Sequence, residues 1–226
     1  MVQVVRDVMV FTPMLRLEPA TVKAVMDLKW DGPLTLVFQR DNPTGDKYQD
    51  HLHQYQRGRE AFLRGPHDAM LVIESDIVPP RDTLLRLAAL EADVAYGVYP
   101  SRSSGNVNVL ELYYGGKPRA RNIGEPLTCR DGHLWRAALA KGIVGCSGGG
   151  LGVLLIHRKV LEAVPFEACE GWCDNKWTND VYQAGFTMVA DTGVLCGHVC
   201  RDGETLWPAR TMDEGRWTTT IAPEFS

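Results

Sequence analysis

The stretch MLVIESDIVPPRDTLLRLAAL, Met70 to Leu90, sets an apolar run of strand length directly against Glu74, Ser75 and Asp76, with Pro79 and Pro80 just behind them. A strand that only turned back would do so with Gly, Asn or Asp-Gly. Here the prolines force the chain out of the strand, and PRDTLLRLAALEA reads as a helix with Pro80 at its start. Two carboxylates at alternate positions of an extended segment point to the same side, because strand side chains repeat every two residues. No basic residue lies within the triplet, so the acids repel unless something positive sits between them. A hard divalent cation is the economical answer, since carboxylate oxygens suit Mg²⁺ or Mn²⁺. Mg²⁺ is usually held by one or two carboxylates, with phosphate oxygens completing its shell, so a nucleoside diphosphate is the natural companion. The plainer alternative has Asp76 capping the next helix and Glu74 exposed at a strand end.

The flanking sequence supplies the rest of the pattern. Val2 to Phe11 is an apolar, β-branched-rich run ending in "TP", a strand followed by a loop. EPATVKAVMDLK, with Pro19 near its start, reads as a helix, and LTLVFQ as a second buried strand ended by the loop RDNPTGD. KYQDHLHQYQRGREAFLRG is a long amphipathic helix with Leu52, Tyr55 and Phe62 on one stripe. DAMLVIE and DVAYGVYP are the third and fourth strands. This β-α-β-α-β-α-β order with short connections predicts a Rossmann-like α/β fold, a mainly parallel central sheet with helices on both faces. Ligands collect at the carboxyl ends of such strands, which is where the acidic triplet falls.

The second half has a different texture. NVNVLELYYGG reads as a strand running into a turn, and RARNIGEPLTCRDG as irregular connecting chain. IVGCSGGGLGVLLIHRKVLEAVPF reads as a glycine-rich turn, an apolar strand and a short helix from about Arg158. DNKWTNDVYQAGF is another helix, ending at Gly185, and TMVADTGVLCGHV gives one or two short strands. Four glycines in the six residues of SGGGLG are many for an ordinary bend, and they let backbone approach a ligand closely. No repeat or linker divides the chain, so the two halves are expected to share one sheet.

The chain has 226 residues, 45% hydrophobic and 23% charged, enough for one sizeable core. A net charge of -4 with scattered basic residues gives no general signal for nucleic acid or an anionic membrane. No apolar run approaches the roughly 20 residues of a membrane span. The start MVQVVRDVMVF has an acid and a base inside its apolar stretch and does not read as a signal peptide. A soluble, cytoplasmic protein is expected.

The order of strand, Glu-Ser-Asp, apolar pair, Pro-Pro, helix and a strand ending in Gly-x-Tyr resembles the nucleotide-sugar glycosyltransferases of the GT-A fold, of the family 2 type. The resemblance continues in CSGGGLGVLLIHRKVLEAVPF, similar to the glycine-rich turn, strand and helix lining the donor-sugar and acceptor pocket. It continues in DNKWTNDVYQAGFTMVADTGVLCGHV, similar to the acidic helix and the late Asp-Thr-x-Val-x-x-x-His of many such domains. The match runs from about Val8 to Val199. It implies a single domain over 1–226, with a nucleotide-binding half (1–100), an acceptor and sugar half (101–200) and a C-terminal tail (201–226). It implies that Asp76 and His198 bind Mn²⁺ or Mg²⁺. Glu74 stands where Asp is usual, so it acts through water or through the ribose, with Ser75 beside it. Thr12 and Pro13 are placed under the base and ribose, Asp41 beside them, Arg59 on the nucleotide side, and Gly149 and Gly150 against the donor. The acceptor-side acids are Asp180, within Asn179-Asp180 where Glu-Asp is common, and Asp174; which of them faces the acceptor stays open. The implied activity is transfer of a sugar from a UDP- or GDP-linked donor to an unidentified acceptor hydroxyl.

Each of these residues also has a structural reading. Asp180 can be a solvated helix face, Asp174 an N-cap, Arg59 a surface residue, and Thr12-Pro13 a strand end. Two other functions compete. CEGWC and CGHVC place Cys169, Cys173, Cys196, His198 and Cys200 in two clusters, which a zinc-stabilised binding module would use. The spacing of three intervening residues is wider than that of a zinc knuckle, and buried free thiols are the simpler reading. A sugar-phosphate nucleotidyltransferase would use the same acids, but FTPMLRLEP lacks the glycine expected of its first loop.

Overall fold

The apolar runs around the acidic triplet all become strands of one sheet. The structure is a computed structural model that describes residues 4–100, 108–111, 113–114, 117–118, 142–207, 212–213, 216–217 and 220–221. Its strands are β1 (Val8–Pro13), β2 (Leu34–Gln39), β3 (Ala69–Ile73), β4 (Ile77–Val78), β5 (Val94–Val98), β6 (Val109–Glu111), β7 (Tyr113–Tyr114) and β8 (Lys117–Pro118), followed by β9 (Ile143–Gly149), β10 (Val153–His157), β11 (Met188–Leu195), β12 (Gly197–Val199), β13 (Thr205–Trp207), β14 (Met212–Asp213), β15 (Arg216–Trp217) and β16 (Thr220–Ile221). The helices are α1 (Pro19–Met26), α2 (Lys47–Arg64), α3 (Thr83–Ala88), α4 (Arg158–Ala163) and α5 (Cys173–Gln183). The expected irregular chain over 119–132, with Cys129, lies outside the described residues.

The main sheet has the order β2-β1-β3-β10-β5-β11-β9-β6. β1 runs parallel to β2 and β3, and β5 runs parallel to β11. β10 is antiparallel to both β3 and β5, and β9 is antiparallel to β11 and β6. The fold is therefore mixed α/β, with a mostly parallel sheet carrying two reversed strands. An apolar run reports burial on both faces but not direction, so the reversal of β10 left no mark in LLIH. Strands from both halves of the chain share this sheet. A second sheet, β16-β13-β12-β4, draws on residues beyond 200.

Alternation along the strands feeds two cores. Met9, Phe11, Met70, Val72, Tyr96, Leu154 and Ile156 pack with Tyr55, Phe62, Val160, Trp177 and Val181 of α2, α4 and α5. Val8, Val10, Leu71, Ile73, Ala95, Val153 and Leu155 pack with Val25, Leu84 and Leu87 of α1 and α3. Helices thus cover both faces of the sheet. α3 is also latched to β11, because Arg86 Nε and Nη2 donate to the two Asp191 carboxylate oxygens at 2.9 and 2.8 Å. Gly185, at φ +82°, ends α5; its N–H and that of Phe186 donate to the Tyr182 and Val181 carbonyls, the usual double closure at a helix end. Among the described residues no helix is long and apolar enough to cross a membrane.

Four expectations shift. The first strand is β1, Val8–Pro13, so Thr12 and Pro13 belong to it rather than to a loop; Pro13 pairs with Gln39 at the end of the ladder. The helix after the prolines begins only at Thr83, whose N–H closes a turn onto the Pro80 carbonyl. The glycine-rich segment is largely strand β9. The acidic triplet is not extended: Ile77 N–H donates to the Glu74 carbonyl at 3.0 Å, making a turn before β4.

Gly58 shows how the sheet constrains its helices. It lies inside α2, where glycine costs about 1 kcal/mol relative to alanine. A Cβ there would fall 2.5 Å from Cζ of the fully buried Phe11. Gly58→Ala is therefore expected to destabilise the fold by about 1–3 kcal/mol in urea unfolding, despite its better helix propensity. Equal or higher stability would show that the Phe11 ring has room to move.

Candidate functional site

The turn at Glu74 sends the two acids of the triplet to different partners. Glu74 N–H is held by the Gly152 carbonyl at 2.8 Å, and the Ser75 carbonyl accepts from Glu18 N–H at 3.3 Å. The Glu74 side chain turns toward α2. Its Oε1 accepts from the Tyr55 hydroxyl at 3.0 Å and lies 3.1 Å from His51 Nε2. Asp76 turns the other way. β4 pairs antiparallel with β12, Ile77 opposite His198, and Val199 N–H donates to the Asp76 carbonyl at 2.8 Å. This ladder carries His198 to Asp76, with Nε2 3.8 Å from Oδ1.

The orientation of His198 is fixed by its other nitrogen. Nδ1 lies 2.7 Å from the Pro100 carbonyl oxygen, which can only accept, so Nδ1 carries a proton. In the neutral ring the lone pair is then on Nε2, the atom facing the Asp76 carboxylate. The Tyr99 ring packs edge-on against the imidazole at 5.3 Å. A metal-ligating histidine is commonly anchored in this way, its second nitrogen bonded to a carbonyl. Asp76 and His198 thus fit a divalent cation by the chemistry of their donor atoms, a carboxylate oxygen and an imidazole nitrogen. Among the described residues no group of three or more His, Cys, Asp or Glu is placed to hold a metal ion. CEGWC and CGHVC therefore do not assemble a four-ligand zinc site there: Cys169 is exposed, while Cys173 and Cys196 are buried. Burial pushes the Cys196 thiol up, away from the thiolate that zinc requires.

Tyr99 joins the parts. Its hydroxyl accepts from Gly152 N–H at 3.1 Å, and a Cβ on Gly150 or Gly152 would fall 2.5 or 2.6 Å from its side-chain atoms. The close approach that these two glycines permit is therefore to Tyr99. A Cβ on Gly149 would come within 3.0 Å of the Asn108 carbonyl and the Tyr96 ring. Burial, and then the charges of Glu74, Asp174 and Asp76, hold the Tyr99 phenol well above its usual range. Burial, and then the Glu74 charge, likewise keep Tyr55 protonated as a donor.

The acceptor-side acids differ. Asp174 lies in the first turn of α5, its Oδ1 accepting from Asn175 N–H at 2.8 Å. Burial, reinforced by Glu74, raises its carboxyl above the ordinary range. Asp180 is neutralised by Lys176, whose Nζ lies 2.6 Å from Oδ2 and also pairs with Glu167.

Thr12 and Pro13 are buried in β1, and Thr12 Oγ1 has no hydrogen-bond partner among the described residues. Asp41 is exposed and bonded to His53 Nε2 at 2.9 Å. Arg59 donates to the Leu161 and Glu162 carbonyls at the end of α4. Three residues of the site were missed in the sequence: His51, Tyr55 as a polar group, and Tyr99. The i, i+4 pair His51 and Tyr55 on the inward face of α2 was the available signal.

A carboxyl that binds its proton more tightly folded than unfolded contributes stability only at low pH. For Asp174 that contribution is complete below the ordinary value of 3.8 and is lost as pH rises through the raised folded value. Asp174→Asn removes the loss, so at pH 7 the variant should be at least as stable as the parent. The parent should regain the difference as the pH of a urea-unfolding series falls. A variant markedly less stable at pH 7 would contradict this.

No protein-family model matches the sequence, and neither does any curated protein. Among solved structures, A197 from STIV aligns with 97% of this chain and 100% of that one, at TM-score 0.62 and 15% identity. A glycosyltransferase involved in the glycosylation of the major capsid of PBCV-1 aligns with 70% of this chain and 63% of that one, at TM-score 0.36 and 10% identity. The chain shares its fold with A197 from STIV.

Proposed function

We propose that the chain is a metal-dependent glycosyltransferase that moves a sugar from a UDP- or GDP-linked donor to an acceptor hydroxyl. One observation carries the reading: Asp76 and the lone-pair nitrogen of His198, distant in sequence, face each other at 3.8 Å. It adds to the resemblance of the sequence to GT-A enzymes, in which an acid-x-Asp motif and a late histidine hold the cation. When bound, Mn²⁺ or Mg²⁺ neutralises charge developing on the leaving diphosphate. The protein's own part is to fix the ligands. The Pro100 carbonyl sets the His198 tautomer, and the β4–β12 ladder sets its distance from Asp76.

Of the two acceptor-side acids, Asp174 is the better general base. Its raised carboxyl is closer to the working pH and lies within the charge field of Glu74. Asp180 is bound to Lys176 instead. A base must be ionised to act, so turnover carried by Asp174 should rise with pH through a value above the ordinary carboxylate range.

A thermal-shift series with UDP and GDP, each with and without Mn²⁺, tests donor binding through mass-action stabilisation. The parent should be stabilised most when nucleotide and metal are present together. Asp76→Ala and His198→Ala should lose that synergy while remaining folded. Asp174→Asn should keep nucleotide binding and lower turnover roughly a hundredfold or more. No shift with either nucleotide would remove the reading.

A further inference from the structure

His51 links Glu74 to a thiol that neither the cation pair nor the general base uses. Its Nε2 lies 3.1 Å from Glu74 Oε1, and its Nδ1 lies 3.4 Å from Cys173 Sγ. The imidazole is packed between the rings of Tyr55 and Trp172, at 4.8 and 5.0 Å, and its side chain is only 11% exposed.

Thiol, imidazole and carboxylate in line is also the layout of a nucleophilic cysteine with its base and orienting acid. The proton pattern is the same in both cases, and burial separates them. The ionised Glu74 carboxylate only accepts, so Nε2 carries a proton. The neutral ring then has its lone pair on Nδ1, where it accepts from the Cys173 S–H. A nucleophile needs a thiolate and an open approach. Cys173 is 2% exposed, and burial, followed by the charges of Asp174 and Glu74, pushes its thiol up. The sulfur keeps its proton and donates it.

We propose that His51 is a positioning residue, held in its Nε2–H tautomer by Glu74 and backed on Nδ1 by the Cys173 thiol, that fixes the Glu74 carboxylate for the bound donor nucleotide. This rests on the proposed function. Tyr55 and His51 both bond Oε1, which stops the carboxylate from rotating. Oε2 has no hydrogen-bond partner among the described residues and is left to accept from a hydroxyl of the ligand. Cys173 thereby takes a role in the site that its place in a cysteine cluster did not suggest.

Nitrogen-15 spectra of the imidazoles, with His51 assigned through His51→Gln, read the tautomer without any ligand. The Nε2–H form is expected in the parent, in Cys173→Ser and in Cys173→Ala, because Glu74 accepts from Nε2–H in all three. In titrations with UDP or GDP plus Mn²⁺, His51→Ala should weaken binding about tenfold, a loss of roughly 1.4 kcal/mol. His51→Gln, whose amide can donate to Glu74, should recover most of it. An Nδ1–H form in the parent overturns the proposal. So does rapid alkylation of Cys173 by iodoacetamide with Cys173→Ser and Cys173→Ala equally inactive, the pattern of a nucleophile. A parent that binds neither nucleotide overturns the proposed function, and with it the donor role of Glu74. A parent that binds while His51→Ala binds equally well overturns the positioning role alone.

Discussion

The site depends on a two-residue ladder. Ile77 and Val78 pair with His198 and Gly197, and Val199 N–H donates to the Asp76 carbonyl, which brings the late histidine to the acidic triplet. The ladder forms because the chain leaves β3 through a turn at Glu74 and then faces Pro79 and Pro80, which lack N–H donors. The short stretch left between the turn and the prolines pairs with β12. Their partner strand continues β11, whose register is held by α3 through Arg86 and the buried Asp191. The position of His198 is thus set by the packing of the main sheet as well as by its own segment.

The turn also resolves the charge problem posed by the sequence. Adjacent carboxylates on one face of a strand would need a shared cation. Here Glu74 and Asp76 diverge, one toward donors on α2, the other toward the imidazole of β12. Glu74 Oε1 is held by Tyr55 and His51 within the protein, while Asp76 and His198 Nε2 stand at a separation too long for a good hydrogen bond. The two halves of the motif have different chemistry because a single backbone hydrogen bond separates them.

Much of the fold was legible. The strands β1, β3 and β5 and the helices between them followed from apolar runs and helical spacing, because each buries a face of predictable period; β2 formed as well, but at the sheet edge with Leu34, Leu36 and Phe38 exposed rather than buried. Asp76 and His198 were also named as partners, but through the resemblance and not through spacing. β4 was too short to read, and β9 was hidden by its glycines, which normally weaken a strand. Those glycines were assigned to a ligand; at Gly150 and Gly152 it is Tyr99 that occupies the space. Contacts such as His51 with Glu74 are tertiary: the i, i+4 pair His51 and Tyr55 marks a shared helix face, but not the strand end which that face meets.

Burial makes this arrangement consistent. Tyr55, Tyr99 and Cys173 are all held in their neutral forms by desolvation and by the surrounding acids. Neutral phenol and thiol groups can donate hydrogen bonds to acceptors, whereas their ionised forms would add like charge to Glu74 and Asp174. The same desolvation raises Asp174 and so makes it a better proton acceptor than an exposed aspartate. A more open pocket would let water relieve each of these effects together: Asp174 would fall toward its ordinary value, and the Cys173 contact to His51 would have to compete with solvent. The packing of Trp172 against His51 and of Phe166 against Tyr55 therefore bears on the chemistry of the acids as well as on stability.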